Sequence, residues 1–212
     1  MSAIARADQV MRALRARYRG RAESAKATPW KSLLFTVLSA RSRDVETEKV
    51  YRMLLARYPT PQKLARATPQ QVAPLIARIG LFRSKAKNVV ALARRITADH
   101  GGKVPADLDA LVELPGVGRK TANCVLVYAF GIPAVCVDTH VHRIANRLGW
   151  VKTRTPEQTE RALRAALAKR HWLNVNHTLI QFGRDICVPR KPQCWRCPVA
   201  RWCSYRPKTP HP

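Results

Sequence analysis

At four places along the chain a threonine is followed by a proline and then by apolar residues at helical spacing: Thr28-Pro29, Thr60-Pro61, Thr68-Pro69 and Thr155-Pro156. A threonine hydroxyl can accept from the unpaired N–H groups of a first helical turn. Proline suits the first helical position, where its missing N–H costs nothing. These pairs therefore divide the chain into helices and leave little room for a sheet. Residues 6–18 place Val10, Met11, Leu14 and Tyr18 on one face among arginines, a basic amphipathic helix. Residues 30–40 are nearly all apolar and should lie at the centre of a core, and Asp44 is expected to cap the next helix. The helix begun at Thr68 should end at Gly80 in a left-handed conformation, with residues 81–85 a short basic connection before a helix to about His100. Beyond Pro133, residues 134–137 are extended in character and deliver Asp138 to the start of a helix that ends at Gly149. The last helix covers residues 172–186, and the proline-rich end should be disordered. The reading is all-α, about ten helices.

Residues 111–126 carry the densest chemistry. An apolar turn with Leu111, Val112 and Leu114 runs into Pro115-Gly116-Val117-Gly118, and a second helical segment follows. The pattern is helix, tight hairpin, helix. Glycines at 116 and 118 permit unusual torsions and leave the main-chain N–H groups open to a ligand. The N-terminus of the second helix favours a phosphate. Lys120 stands in that first turn, where a cation is poorly placed for helix stability; the same field, with desolvation, would lower its pKa toward a nucleophilic free amine. An ordinary turn with a solvated Arg119-Lys120 pair is the plainer alternative.

Charge narrows the choice. With 39 Lys and Arg against 13 Asp and Glu, the 212-residue chain has a net charge of +26, spread along its length. A folded basic face for a polyanion, most simply nucleic acid, explains this better than a basic tail; a generally basic proteome is the alternative. The longest apolar run, residues 125–137, is interrupted by Gly131 and Pro133 and is too short for a bilayer, and no signal peptide is evident. A soluble, intracellular protein is expected.

Cys187, Cys194, Cys197 and Cys203 follow a C-x6-C-x2-C-x5-C pattern broken by prolines. Four thiolates this close suit one tetrahedral metal centre, zinc or iron-sulfur, in preference to two disulfides. Arg184, Arg190, Lys191, Arg196 and Arg201 crowd the same loop, so a filled, structural centre would present cations to phosphates. Cys124 and Cys136 lie in apolar segments and read as core residues.

Leu114-Pro-Gly-Val-Gly-Arg-Lys-Thr-Ala-Asn123, then Val137-Asp-Thr-His140, then the cysteine pattern together resemble the endonuclease III family of helix-hairpin-helix DNA glycosylases. The similarity takes in Leu38-Ser-Ala40, Ile79-Gly-Leu81 and Ser84-Lys-Ala86, and covers about residues 22–204. It implies a six-helix domain over residues 22–132 that ends with the hairpin, and a second domain of residues 1–21 and 133–212 holding a [4Fe-4S] cluster on the four cysteines. It implies a monomer acting on double-stranded DNA with damaged bases or abasic sites, on the nucleoid in the cytoplasm. The Lys120 amine would attack C1′ of a flipped nucleotide, and Asp138 would take the lysine proton and offset charge on the sugar; a plain capping role for Asp138 stays open on spacing alone. Gly116 and Gly118, with Arg119, would grip phosphate, with a monovalent cation under the hairpin; Leu81 would be an apolar wedge, and His140 would lie near the cleft or make a local hydrogen bond. The implied activity is removal of oxidised pyrimidines followed by β-elimination. Arg41 departs from the family's usual glutamine, which fills the space of the flipped nucleotide, so opposite-base preference should differ. Alternatives are a glycosylase for a mismatch or an oxidised purine, or a non-catalytic DNA-binding or redox module. Lysine at 120 favours the bifunctional enzyme.

Overall fold

The computed structural model describes residues 3–18, 28–40, 42 and 44–211. Regular structure among them is helical throughout: α1 (Ala3–Arg17), α2 (Pro29–Ser39), α3 (Asp44–Arg57), α4 (Pro61–Ala65), α5 (Pro69–Val72), α6 (Phe82–Asp99), α7 (Leu108–Val112), α8 (Arg119–Val125), α9 (Thr139–Leu148), α10 (Pro156–Ala166) and α11 (Val175–Asp185). All four threonine–proline pairs start helices. Thr28, Thr60, Thr68 and Thr155 each accept from the backbone N–H three residues on, at 3.3 to 3.4 Å, and Gln71 returns the bond to the Thr68 N–H at 2.9 Å.

The chain forms two compact units, one of Ser24–Gly131 and one of Met1–Glu23 with Ile132–Pro212. In the first, the apolar α2 packs against α3, α6 and α8, with Leu33, Leu34 and Leu38 fully buried. The long helix α6 lies across α4 and α5 and buries Val89, Leu92, Ala93 and Ile96. It ends at Gly101 and Gly102, both with positive φ, where the Gly102 N–H returns to the Ile96 carbonyl at 2.9 Å.

The start of α6 differs from the sequence reading. Gly80 is not the left-handed residue; Leu81 is, with φ 58 and ψ 29, and it is the N-cap of α6. The supposed basic connection is the first helical turn, closed by the Lys85 N–H on the Leu81 carbonyl at 2.9 Å. Left-handed torsions cost a residue with a Cβ roughly 1–2 kcal/mol, so Leu81 is held there against its own preference.

In the second unit, Val10, Met11 and Leu14 of α1 are buried in one cluster with Ile144, Leu163, Leu179 and Phe182. Each such side chain contributes about 1.5–3 kcal/mol. Polar ties join the same elements. The buried Asp8 carboxylate accepts from His171 Nε2 at 2.7 Å and from Arg170 Nε at 3.1 Å, and pairs with Arg12. The Tyr18 hydroxyl donates to Asp185 at 2.6 Å.

The His171 and Arg170 hydrogen bonds, with the Arg12 charge, hold the Asp8 carboxyl down to about 2 from an ordinary 3.8, although burial pushes the other way. A depressed carboxylate stabilises the fold above its unfolded value and loses that contribution as pH falls through its folded value. The Asp8 contribution is therefore full above about pH 4 and disappears toward pH 2. Melting temperatures recorded down that range should fall more steeply for the natural chain than for Asp8→Asn.

Near the chain's end, Lys208 donates to the Cys203 carbonyl at 3.0 Å, and the His211 ring meets Trp195 edge-on with centroids 5.7 Å apart. Among the described residues, no helix is long and apolar enough to cross a membrane.

Candidate active site

The hairpin is a turn closed by the Val117 N–H on the Leu114 carbonyl at 3.1 Å, with Pro115 second and Gly116 third. Gly116 has φ +76, and a Cβ there would lie 2.9 Å from Asn88 Cβ on α6, so torsion and space both demand glycine. Gly118 is different: its φ of −88 suits any residue, and nothing lies within 4 Å of where its Cβ would be. The sequence reading gave both glycines special torsions; only Gly116 uses one. Gly118 instead leaves open ground beside the backbone.

Helix α8 starts at Arg119, which is half-buried, and continues into a π turn (Leu126–Phe130). Thr121 through Val125 are buried, while Lys120 is exposed in the first turn. Packing on one side of α8 leaves Lys120 on the other, where a ligand at the hairpin would meet it.

Asp138 stands in the other unit, after the buried residues Ala134, Val135, Cys136 and Val137. Asn176 fixes this extended stretch by donating to the Cys136 carbonyl at 3.1 Å. Asp138 caps α9: its Oδ1 accepts from the Val141 N–H at 2.8 Å. The capping role is thus real, and the cap uses one carboxylate oxygen, Oδ1. His140 is half-buried, with Nδ1 3.2 Å from Arg143 Nη2; since the guanidinium only donates, this nitrogen accepts. Leu81 is 59% exposed at the head of α6, a solvent-facing leucine on a strained backbone. Arg41 lies outside the described residues.

Cys187, Cys194, Cys197 and Cys203 are unbridged thiols lining one cavity with Phe182, Ile186, Arg147 and Tyr205. Burial pushes the Cys197 thiol up to about 11 and raises that of Cys187 too, so these sulfurs need a positive centre to become thiolates at neutral pH. Around them, Arg147 Nη1 lies 3.5 Å from Cys187 Sγ and donates to the Val188 carbonyl at 2.8 Å, while its guanidinium rests on the Tyr205 ring. Arg143 donates to the Cys187 carbonyl at 3.0 Å, and Arg196 to Asp185 at 2.6 Å. Arg184, Arg190, Lys191, Arg196 and Arg201 remain exposed. The residues fit an iron-sulfur cluster. Sequence reasoning missed Arg143, Arg147, Tyr205 and Lys208. Helical spacing puts the two arginines on one face of α9, but nothing local names partners forty residues away.

The sequence profile of HhH-GPD superfamily base excision DNA repair proteins matches residues 34–169, and that of the iron-sulfur binding domain of endonuclease III matches residues 187–203. Endonuclease III of Thermotoga maritima is 49% identical over 177 residues, spanning 84% of this chain and 83% of its own. The chain belongs to the endonuclease III family. The Escherichia coli K12 endonuclease III is 38% identical over 182 residues, 86% of each chain. Among solved structures, a trapped endonuclease III–DNA covalent intermediate matches with TM-score 0.88 and 34% identity over 96% of this chain and 97% of its own. A thermostable thymine-DNA glycosylase gives 0.80 and 27% identity over 94% of each chain. Like other members of the endonuclease III family, the chain is a base excision repair enzyme, a DNA glycosylase and abasic-site lyase with a [4Fe-4S] cluster.

Proposed function

We propose that this protein acts through Lys120 and Asp138 on oxidised pyrimidines and abasic sites in double-stranded DNA, as a monomer in the cytoplasm. What carries the reading is the exposed Lys120 amine in the first turn of α8, directly after a hairpin with open ground at Gly118. The hairpin N–H groups hold a phosphate, and the target nucleotide leaves the stack. The Lys120 nitrogen bonds to C1′ as the bond from C1′ to the base breaks, and the base departs with a proton. Asp138 takes a proton from the lysine through the oxygen that its cap does not use and offsets positive charge on the sugar. The nitrogen lone pair then closes the C1′=N bond as the C1′–O4′ bond breaks and O4′ takes the proton held by Asp138, which opens the ring to a protonated Schiff base; this makes the C2′ hydrogen acidic, its removal expels the 3′ phosphate, and water then frees Lys120.

Cys187, Cys194, Cys197 and Cys203 are the ligands of the cluster, which supplies structural rigidity to the loop when bound. Arg184, Arg190, Lys191, Arg196 and Arg201 then meet phosphates from a fixed frame. Leu81 wedges the opposite strand and Arg41 fills the vacated space, so preference for the opposite base follows arginine rather than glutamine chemistry.

The test is borohydride trapping on duplexes carrying an abasic site or an oxidised pyrimidine: a covalent adduct supports the reading, and tight binding without one overturns it. The glycines give a second check. Gly116→Ala should destabilise the fold by roughly 1–3 kcal/mol. Gly118→Ala should leave the melting temperature unchanged and weaken duplex binding about tenfold, close to the worth of one charge-assisted hydrogen bond. Equal losses of stability would show that the hairpin serves the fold alone.

A further inference from the structure

Asn88 is a polar side chain that the fold leaves unused. It stands inside α6, half-buried, between the exposed Lys87 and the buried Val89. Asparagine is a weaker helix former than alanine, because its amide competes for the backbone. A residue of this type inside a helix usually has a hydrogen bond to account for it. Among the described residues the Asn88 amide has none. A solvated surface amide is the plain alternative, and the position of the side chain argues against it.

The amide lies on the hairpin. A Cβ built on Gly116 would meet Asn88 Cβ at 2.9 Å, Nδ2 at 3.1 Å and Cγ at 3.2 Å, so the side chain runs over the bare α-carbon of Gly116 with its nitrogen toward the turn. Its helix is well anchored. Arg94 donates to the Ala65 and Ala67 carbonyls at 3.0 Å each, Lys85 donates to the Leu38 carbonyl at 2.8 Å, and Ala86, Val89 and Val90 are buried. The surroundings are positive as well. Arg83 and Lys87 are exposed on α6, and no acidic residue occurs on this helix before Asp99. An amide nitrogen with two free protons, held rigidly among cations beside a turn, suits an anionic oxygen.

We propose that Asn88 is a phosphate-binding residue: its Nδ2 donates to the same DNA phosphate that the hairpin N–H groups hold. This rests on the phosphate grip proposed above and extends it beyond the hairpin to α6. The main chain approaches the phosphate from the turn, and Nδ2 approaches from the helix. A phosphate held from two elements cannot swing about either, which fixes the register of the strand before the nucleotide leaves the stack. Asn88 touches none of the reacting atoms. Affinity for the duplex therefore depends on it, while the rate of the bound complex does not.

Asn88→Ala removes the donor, and Asn88→Asp keeps the shape but sets an anion against the phosphate. Binding would be measured on a duplex with a reduced, uncleavable abasic site, and on a series in which one phosphate at a time is a neutral methylphosphonate. Asn88→Ala should bind the all-phosphate duplex about tenfold more weakly, and Asn88→Asp more weakly still. The loss should vanish from the borohydride trapping rate once protein is saturating. Asn88→Ala should melt no lower than the natural protein, since alanine is the better helix former. The methylphosphonate series locates the partner. At one position the difference between the natural protein and Asn88→Ala should collapse, and Gly118→Ala should lose its effect at that same position. Full affinity in Asn88→Ala, a drop in its melting temperature that accompanies the loss, or a difference that persists at every position would overturn the proposal. Failure of the underlying reading looks different: Gly118→Ala would also bind normally, and the natural protein would give no adduct.

Discussion

Lys120→Ala should abolish the borohydride adduct and slow strand cleavage by about a thousandfold or more, since removing a nucleophile leaves only binding and electrostatics. Duplex binding should survive, because the hairpin and the basic loop are untouched. The fold should survive as well. Lys120 is exposed, alanine is the better helix former, and a cation in a first turn works against the helix dipole. Lys120→Arg should be as inactive as alanine, because a guanidinium keeps its proton and cannot attack C1′. An adduct that persists in Lys120→Ala would place the reacting amine elsewhere.

Asp138 presents a sharper problem, because its cap and its proposed chemistry use the same carboxylate. Substitution can separate them. Asparagine caps helices about as well as aspartate, so Asp138→Asn should melt like the natural protein while cleavage falls by about 10²- to 10⁴-fold. Asp138→Ala should lose comparable activity and about 1 kcal/mol of stability besides. A fully active Asp138→Asn would reduce the residue to its hydrogen bond with Val141.

Much of this was legible beforehand for a simple reason: the informative signals are local. A threonine before a proline needs only its own next turn to become a cap, and all four pairs did so. The four cysteines, all within seventeen residues, were readable as one centre, and they line one cavity. What escaped depends on distant partners. Lys85 was read as part of a short basic connection because Leu38 and Ser42, its partners, are more than forty residues away. Arg147 gave no hint of Val188. Gly80 was assigned the left-handed turn on residue preference, but tertiary packing moved it to Leu81, against intrinsic propensity. Among the described residues the non-glycine positions with positive φ are Leu81 and Lys191, one the proposed wedge and the other in the basic loop. Strain collects where a side chain must be aimed, and residue preference does not reveal it.

The compact unit made from both ends of the chain has a consequence for biosynthesis. Helix α1 leaves the ribosome ahead of the elements it packs on, and the residues that bury Met11 and bind Asp8 are translated more than 120 positions later. Residues 24–131 are contiguous, and can collapse while the leading helix still waits with its apolar stripe uncovered. Closure comes only when α11 and the cysteine loop have been made, so a ribosome that stalls early releases a half-finished protein with a greasy, arginine-rich helix uncovered, a natural target for chaperones and proteases.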